Sequence, residues 1–404
     1  MIYNGEDICN QGYIDDTATS DNNVLGVKYS CKIIEETLDE LSLEAHPTKT
    51  VHVICGAPEW IEKTKDYLIK NPATIQNFKV KISDSEKYLG LKIVSGTMSD
   101  IVNANIKVKA SKIHQVATEI RQEVRDPRIV RIGSLRASAV LIQSKVIPIL
   151  TYGTESWLHV TPDQYKAMEE IMATAMTRIL SLPSSTVYDA LLLEVSNYHI
   201  EVWMDCLKLG YFLKKLHVKK RGKLYRALRA DIINDNEHGF IGDIRNLCIK
   251  YKIPDITLTP VTKDFIRLTC RDFSRRRSMM VTLNLKKIPP MLTLDKVWHA
   301  HYDYPPFEAR AITAYRTGNL VFKNWAPYKF PKKQRGDKTC LFQPCQEEDS
   351  LRHVLQCEYY DTKFIEIDDP TRDLASYLVR LHEERMKKFS QPLICCEGWL
   401  TTRD

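Results

Sequence analysis

The feature that most constrains this chain is a set of four potential metal ligands near its C-terminus. Three cysteines and one histidine follow the spacing Cys-x4-Cys-x7-His-x3-Cys, as Cys340, Cys345, His353 and Cys357. Three thiolates and one imidazole complete a tetrahedral shell, which is the pattern of a structural Zn²⁺ site. Pro344 favours a turn between the first two ligands, and the last two, four residues apart, would share one helix face. The alternative is four reduced side chains without a metal.

The composition is that of an ordinary globular protein. The chain has 404 residues, 44% of them hydrophobic and 27% charged, which is enough for about two to four domains. Its eleven cysteines are odd in number and mostly isolated, so a secreted disulfide framework is not expected. No apolar run reaches the about 18–20 residues of a membrane span, and the first residues lack the pattern of a signal peptide. We therefore expect an intracellular protein of the nucleus or cytoplasm, neither secreted nor bound to a membrane.

Hydrophobic periodicity predicts an α+β protein that is mostly helical. The clearest helix covers 161–183, where Thr161 can cap the first turn and the methionine-rich apolar stripe is expected to enter the core. Further helices are predicted over 29–45, 58–72, 101–125, 134–150 and 370–388, and within 200–230. Alternating residues predict a strand over 50–56 and a hairpin or two short strands over 78–96. The basic, proline-containing stretch 318–338 is predicted to be a linker.

Two adjacent carboxylates near the N-terminus form a second candidate site. They belong to the sequence Tyr13-Ile14-Asp15-Asp16. Such carboxylates repel each other unless a cation offsets their charge, and a tight turn between strands could present them to Mg²⁺. The alternative is an exposed turn, where such pairs are common.

Two more elements follow in the next 80 residues. The stretch LSLEAHPTKT contains Lys49 between a helix and a strand, and the alternative for this lysine is a solvated loop residue. The stretch EKYLGLKI contains Tyr88, Leu89 and Gly90, and a glycine inside an apolar strand favours a bulge or a close backbone approach.

The order of these elements resembles the C-terminal part of the reverse transcriptase of non-LTR (LINE-like) retrotransposons. YIDD resembles the family's metal-binding turn, and LSLEAHPTKT resembles its Gly-Leu then Asn-Pro-x-Lys-Thr element, with Ser42 and His46 in place of the usual Gly and Asn. EKYLGLKI resembles the strand element that follows. VIPILTYGTESW (146–157) resembles the thumb segment, and ARAITAYRTGNL (309–320) resembles the Arg-Thr-Gly stretch before a terminal Cys-Cys-His-Cys knuckle.

The resemblance implies a division of the chain and a chemistry. Residues 1–97 would be the C-terminal part of a palm, 98–230 a helical thumb, 231–338 a basic connector, and 339–404 the zinc knuckle with a closing helix. The reaction would be two-metal nucleotidyl transfer by an RNA-directed DNA polymerase. Asp15 and Asp16 would hold Mg²⁺ and Lys49 would lie near the leaving pyrophosphate. The primer would contact Tyr13 and the grip formed by Tyr88, Leu89 and Gly90.

The resemblance also implies upstream elements of the polymerase that are absent from the 404 residues. The family uses a third carboxylate on a palm strand upstream of the Asp-Asp turn, together with fingers, and only twelve residues precede Tyr13. We therefore expect the 404-residue chain to be unable to polymerise DNA by itself.

Basic runs suggest RNA template and DNA primer or target as partners. The net charge is +7, and the cationic residues cluster after residue 213. Such runs suit phosphate backbones, while solvated helix faces are the alternative. The candidate nucleic-acid-binding residues are Lys214, Lys215, Lys219, Lys220, Arg221, Lys223, Arg275, Arg276, Arg277, Lys332 and Lys333.

Two other functions remain open. One is a nucleic-acid-binding protein that has lost catalysis, and the other is a helical scaffold whose Asp-Asp turn and zinc module are purely structural. Binding of RNA distinguishes these two.

Overall fold

The computed structural model describes 2–3, 6–7, 11–13, 16–18, 23–124, 134–218, 223–234, 239–284, 304, 306–320, 339–342, 344–354, 356–362, 370–390 and 393. In this part of the chain helices predominate and the strands have two to four residues, in agreement with the mostly helical α+β expectation. None of these helices combines the length and apolar character that crossing a membrane requires.

The helices are α1 Val24–Glu40, α2 Pro58–Lys70, α3 Met98–Glu123, α4 Ser134–Leu141, α5 Ile147–Thr151, α6 Pro162–Ile179, α7 Tyr188–Glu194, α8 Ile200–Leu213, α9 Lys223–Ile233, α10 Phe240–Tyr251, α11 Lys263–Leu283, α12 Pro306–Arg316, α13 Leu351–Val354 and α14 Pro370–Phe389. The strands are β1 Ile2–Tyr3, β2 Glu6–Asp7, β3 Gln11–Tyr13, β4 Asp16–Ala18, β5 Val51–His52, β6 Thr74–Ile75, β7 Phe78–Lys79, β8 Lys81–Ile82, β9 Ser85–Tyr88 and β10 Leu91–Val94.

The strands form small pairs. Antiparallel partners are β1 with β2, β3 with β4, β6 with β7, and β9 with β10, whereas β5 and β8 run parallel. The predicted strands over 50–56 and 78–96 therefore exist but are short, and 85–94 is the predicted hairpin.

The predicted cap and core of α6 are confirmed. The Thr161 hydroxyl accepts from the Gln164 backbone N–H at 3.3 Å, and the Gln164 side chain accepts in return from the Thr161 N–H at 3.0 Å, which is a capping box. In the apolar stripe, Met168, Met172 and Met176 are fully buried.

Helix α1 differs from its prediction at both ends. It begins at Val24 because the Asn23 side chain accepts from the Gly26 N–H at 2.8 Å. It ends at Glu40, well before Pro47, because the N–H groups of Ser42 and Leu43 bond back to the carbonyls of Asp39 and Leu38. This is a Schellman ending, which stops a helix without proline.

The predicted helix 134–150 is observed as α4 and α5 joined by a π-helical turn, Ile142–Val146. In this turn the Ile147 N–H bonds to the Ile142 carbonyl, five residues back. Pro148, which has no N–H to donate, follows directly, and the π turn accommodates it within the helix.

The chain forms two compact units, each assembled from separate stretches. The first contains 1–111, 151–168 and 203–270, and the second contains 112–150, 169–202 and 271–404. In the first unit, α1 packs on β6 around buried Cys31, Ile75 and Val80. In the second unit, α12 packs against α14 around a core that includes Ile312, Tyr377 and Leu378.

Candidate functional site

The four predicted zinc ligands lie together. Their ligand atoms are all within 4.8 Å of one another, with 4.0 Å between the Sγ atoms of Cys340 and Cys357 and 3.3 Å from Cys345 Sγ to His353 Nε2. Zn–S bonds near 2.3 Å and Zn–N bonds near 2.0 Å give ligand separations of about 3.5–3.8 Å in a tetrahedral shell. The arrangement therefore suits a metal ion such as zinc with small side-chain shifts.

Local backbone bonds bring the ligands to one point. An isolated bridge pairs Thr339 with Glu348, and the Cys340 N–H donates to the Glu347 carbonyl at 2.7 Å. The Ser350 hydroxyl then accepts from the His353 N–H at 3.2 Å at the start of α13. This helix ends at Val354, so Cys357 lies beyond it and does not share its face, contrary to the expectation from the four-residue spacing.

The Cys340 thiol lies in an environment that disfavours its thiolate. Burial raises the pKa of the Cys340 thiol to about 12, and the neighbouring sulfurs add to this shift. The hydroxyl of Tyr360, in the same core, is buried without a hydrogen-bond partner, and burial raises its pKa as well. A bound cation stabilises thiolates directly, and metal-bound thiolates are acceptors for such a donor. The donor set and its surroundings fit a zinc ion.

Helix α14 anchors the loops that carry these ligands. The Tyr377 hydroxyl donates to the Val354 carbonyl at 3.1 Å, and fully buried Arg385 pairs with Asp349 at 3.3 Å. The Glu384 carboxylate accepts from the N–H groups of Asp361 and Thr362, both at 2.8 Å. The ligand loops and α14 thus share one core.

The Arg-Thr-Gly stretch has a structural explanation at the end of α12. Gly318 adopts φ 68°, and the N–H groups of Gly318 and Asn319 bond to the carbonyls of Tyr315 and Ala314, as in a Schellman ending. Arg316 is buried and its Nε lies 3.3 Å from the carboxylate of fully buried Glu194. The motif therefore ends a helix and ties it to α7.

Asp16 of the Asp-Asp sequence begins the second of two paired antiparallel strands. Tyr13 of β3 pairs with Asp16 of β4 across a two-residue connection. Asp15 lies outside the described residues, and for Tyr13 and Asp16 only the backbone is described. The two predicted strands are present, whereas the connection between them lies outside the described residues and Mg²⁺ binding by the carboxylates stays a prediction.

The two positions that differ from the family's Gly-Leu and Asn-Pro pattern take special conformations. Ser42 has φ 54°, in the left-handed region that favours glycine. His46 Nδ1 lies 3.4 Å from the Thr48 N–H and 3.2 Å from its hydroxyl, as an asparagine side chain would in an Asx turn. Lys49 ends this turn and is exposed, and it pairs with no described carboxylate.

The Tyr-Leu-Gly element is the turn of the β9–β10 hairpin. Leu89 and Gly90 have φ of 47° and 82°, which is a type I′ turn. The Tyr152 hydroxyl donates to the Leu89 carbonyl at 2.6 Å, and a side chain at Gly153 would collide with Leu91. The hairpin turn and the Tyr-Gly segment, 63 residues apart, are therefore in direct contact.

The candidate basic residues are in different situations. Lys214 and Arg275 are exposed, Lys215 lies over the Tyr211 ring, and Arg276 pairs with Asp272 at 2.6 Å. Arg277 lies 3.0 Å from Glu201 and 3.9 Å from Glu169, so it is tied to carboxylates of its own unit. For Lys223 only the backbone is described, and outside the described residues lie Lys219, Lys220, Arg221, Lys332 and Lys333.

A buried charged cluster had no signal in the sequence. His199 is 1% exposed, and its ring lies between the carboxylates of Glu169 (2.8 Å) and Asp189 (3.1 Å). Ser278 lies 3.2 Å from His199 Nε2. Burial opposes a charged imidazole, but hydrogen bonds to Asp189 and Glu169 outweigh it and raise the pKa of His199. These residues are far apart in the chain, so only the packing of α6, α7, α8 and α11 reveals them.

Scans against protein-family models, the curated proteins and the solved structures found no match to this chain.

Proposed function

We propose that this chain is part of the reverse transcriptase of a non-LTR retrotransposon and binds an RNA template with a DNA primer. The observation that carries the proposal is the contact between the Leu89–Gly90 turn and Tyr152. Two elements that resemble the family, one at the primer grip and one in the thumb, lie against each other although they are distant in the chain. A surface that holds a primer terminus requires this proximity.

The two departures from the family's pattern add support. Ser42 takes the left-handed conformation that the usual glycine adopts without strain, and Leu43 follows it at the next position of the Schellman ending. His46 makes a turn contact of the kind that an asparagine side chain makes in an Asx turn. The substitutions thus keep the backbone that the pattern needs to present Lys49.

The proposed chemistry assigns a role to each residue of the N-terminal elements. Asp15 and Asp16 hold Mg²⁺, which supplies charge stabilisation for nucleotidyl transfer. Lys49 gives a proton to the leaving pyrophosphate. Tyr13 and the hairpin turn position the primer terminus for attack on the incoming nucleotide.

The C-terminal site has a structural role in this proposal. Cys340, Cys345, His353 and Cys357 would hold Zn²⁺, which would crosslink the loops packed on α14. A closed shell of four protein ligands leaves no position for a substrate.

The alternative is a nucleic-acid-binding protein without catalysis. Exposed Lys214 and Arg275 favour binding of phosphates in either case. The two candidates differ in one property, because only a polymerase part recognises the end of a primer.

Photo-crosslinking tests the proposal. A DNA primer with a photoreactive group at its 3′ terminus is annealed to an RNA template and irradiated with the full chain. We expect crosslinks to map to the strands and turns that contain Tyr13 and Tyr88–Gly90. The matched control carries the same group at the 5′ end and should map elsewhere. Equal crosslinking from both ends would favour the non-catalytic alternative, and absence of salt-dependent binding would remove both.

A further inference from the structure

The β9–β10 hairpin carries two lysines directly opposite each other. Lys87 pairs with Lys92 in the strand register, one position below the Tyr88–Leu91 pair that closes the turn. Like charges in directly opposite positions destabilise a strand pair. The opposed lysines therefore do not contribute to the stability of the hairpin without a ligand.

The register places Lys87 and Lys92 directly opposite each other, so their ammonium groups can both reach one anion. The backbone N–H and carbonyl of Lys92 point away from Lys87, since both bond to the Asn105 side-chain amide, at 2.9 and 2.7 Å. The two lysines therefore form a non-hydrogen-bonded pair, the type in which opposite side chains approach most closely, with Cα atoms about 4.5 Å apart. Both side chains also point to the same face.

This face is turned away from the contacts that hold the hairpin. Successive side chains of a strand alternate between faces, and Leu91 packs against Gly153. Lys92 therefore points to the opposite face, as does its partner Lys87, which is exposed. Neither lysine forms an ion pair with a described carboxylate.

The hairpin cannot relieve the repulsion by moving apart. Its turn is bonded to Tyr152, its β10 edge is bonded to Asn105, and Asn105 is itself buried and bonded to the Ile101 carbonyl in α3. Tyr152 and Asn105 thus hold the backbones of the two opposed lysines in place.

We propose that Lys87 and Lys92 form a clamp for a phosphate group of a nucleic-acid strand. An anion between the two ammonium groups replaces their repulsion with two charge-assisted hydrogen bonds. The clamp rests on the proposed function for the identity of its ligand, since a phosphodiester beside the Leu89–Gly90 turn would belong to the bound primer–template. The opposed positions of Lys87 and Lys92 follow from the hairpin register and do not depend on the proposed function.

Binding measurements with matched variants test the clamp. Lys87→Gln and Lys92→Gln are compared with Lys63→Gln, which removes the same charge from an exposed site on α2. For binding of an RNA–DNA primer–template to the full chain, we expect each clamp variant to lose about tenfold in affinity. The log–log salt slope should fall by about 1. The Lys63→Gln variant should change both the affinity and the salt slope by less than the clamp variants do.

A second measurement separates the ligand sources and needs no nucleic acid. Melting temperatures are recorded at low salt with and without pyrophosphate. Without ligand, the clamp variants should melt higher than the original chain, because the repulsion is gone, and this difference should vanish at about 1 M salt. Pyrophosphate should stabilise the original chain and not the clamp variants.

The outcomes distinguish the two proposals. If the primer–template binds and the clamp variants behave like Lys63→Gln in both measurements, the clamp is wrong and the proposed function stands. If the primer–template does not bind but pyrophosphate stabilises through the two lysines, the clamp stands as a site for free phosphates and the proposed function fails. If the lysine substitutions change the binding of neither ligand, the clamp is wrong.

Discussion

The Tyr152 hydroxyl donates a 2.6 Å hydrogen bond to the backbone carbonyl of Leu89, a residue 63 positions earlier in the chain. This bond joins the Tyr-Gly segment after α5 to a turn in which both central residues have positive φ. We predict that Tyr152→Phe lowers the free energy of unfolding by about 0.5–1.5 kcal/mol. Amide hydrogen exchange of the β9–β10 hairpin should become faster. Tyr29→Phe, at an exposed ring on α1, is the control and should leave both quantities unchanged.

Ser42 carries backbone strain that a glycine would remove. Its φ of 54° lies in the left-handed region, which costs a residue with a Cβ about 1–2 kcal/mol. Ser42→Gly should therefore raise the stability of the first unit, by up to about 1 kcal/mol after the greater chain entropy of glycine is subtracted. Urea unfolding measures the change. A loss of stability would mean that the α1 ending differs from the Schellman geometry.

Two glycines, one just after a helix and one inside a helix, should respond to alanine in opposite directions. Gly318 follows α12 with φ 68°, so Gly318→Ala should destabilise by about 1 kcal/mol or more. Gly210 lies inside α8, and a Cβ there would meet only Lys263 Cε at 3.7 Å. Gly210→Ala should stabilise by about 0.5–1 kcal/mol. Thermal unfolding of the two variants side by side checks this contrast.

Removal of the metal should destabilise the core shared by α12 and α14. We expect one Zn²⁺ per chain by elemental analysis and a marked fall in melting temperature after chelation, since structural zinc contributes about 10 kcal/mol or more in small peptides. Cys345→Ser should abolish zinc binding and its stabilisation. Cys55→Ser, at an exposed thiol of the first unit, is the control and should retain the metal. Full zinc content in Cys345→Ser would contradict the site.

The cluster around His199 predicts a pH dependence of stability. Because the pKa of His199 is raised in the folded chain, its contribution is complete below its unfolded pKa of about 6.5 and is lost as pH rises through the folded pKa. The pKa of Asp189 is lowered: burial opposes the shift, but the hydrogen bond from His199 outweighs it. The contribution of Asp189 is therefore present above about pH 3.9 and is lost on acidification through its folded pKa.

His199→Gln tests this assignment, with denaturation measured from pH 5 to 9. The variant should lose up to about 3 kcal/mol below neutral pH, since it leaves the half-buried carboxylates of Glu169 and Asp189 without an imidazolium between them. Arg277 and Ser278 also face the cluster, so some charge compensation remains. The variant should no longer show the fall in stability with rising pH. The control, His159→Gln at an exposed histidine, should still show the fall in stability with rising pH.

Much of the local structure could be predicted because it depends on short-range chemistry. The cap and the buried stripe of α6 follow from Thr161, Gln164 and a 3.6-residue period, and the four zinc ligands follow from residue type and spacing. The periodicity predicts that α1 continues to residue 45, whereas it ends at Glu40, because a Schellman ending with serine in the glycine position has no strong sequence signal. Similarly, the helical relation of His353 and Cys357 failed because α13 is a single turn.

By itself, the sequence determined that the chain is mostly helical, that it contains a Cys-Cys-His-Cys set, and that its elements follow an order resembling a reverse transcriptase. Those features depend on periodicity and on the chemistry of neighbouring side chains. Only the tertiary structure decided that Tyr152 meets Leu89, that Arg316 is buried against Glu194, and that His199 lies between two carboxylates. These contacts join residues distant in the chain, and their energies come from burial and geometry that no local pattern encodes.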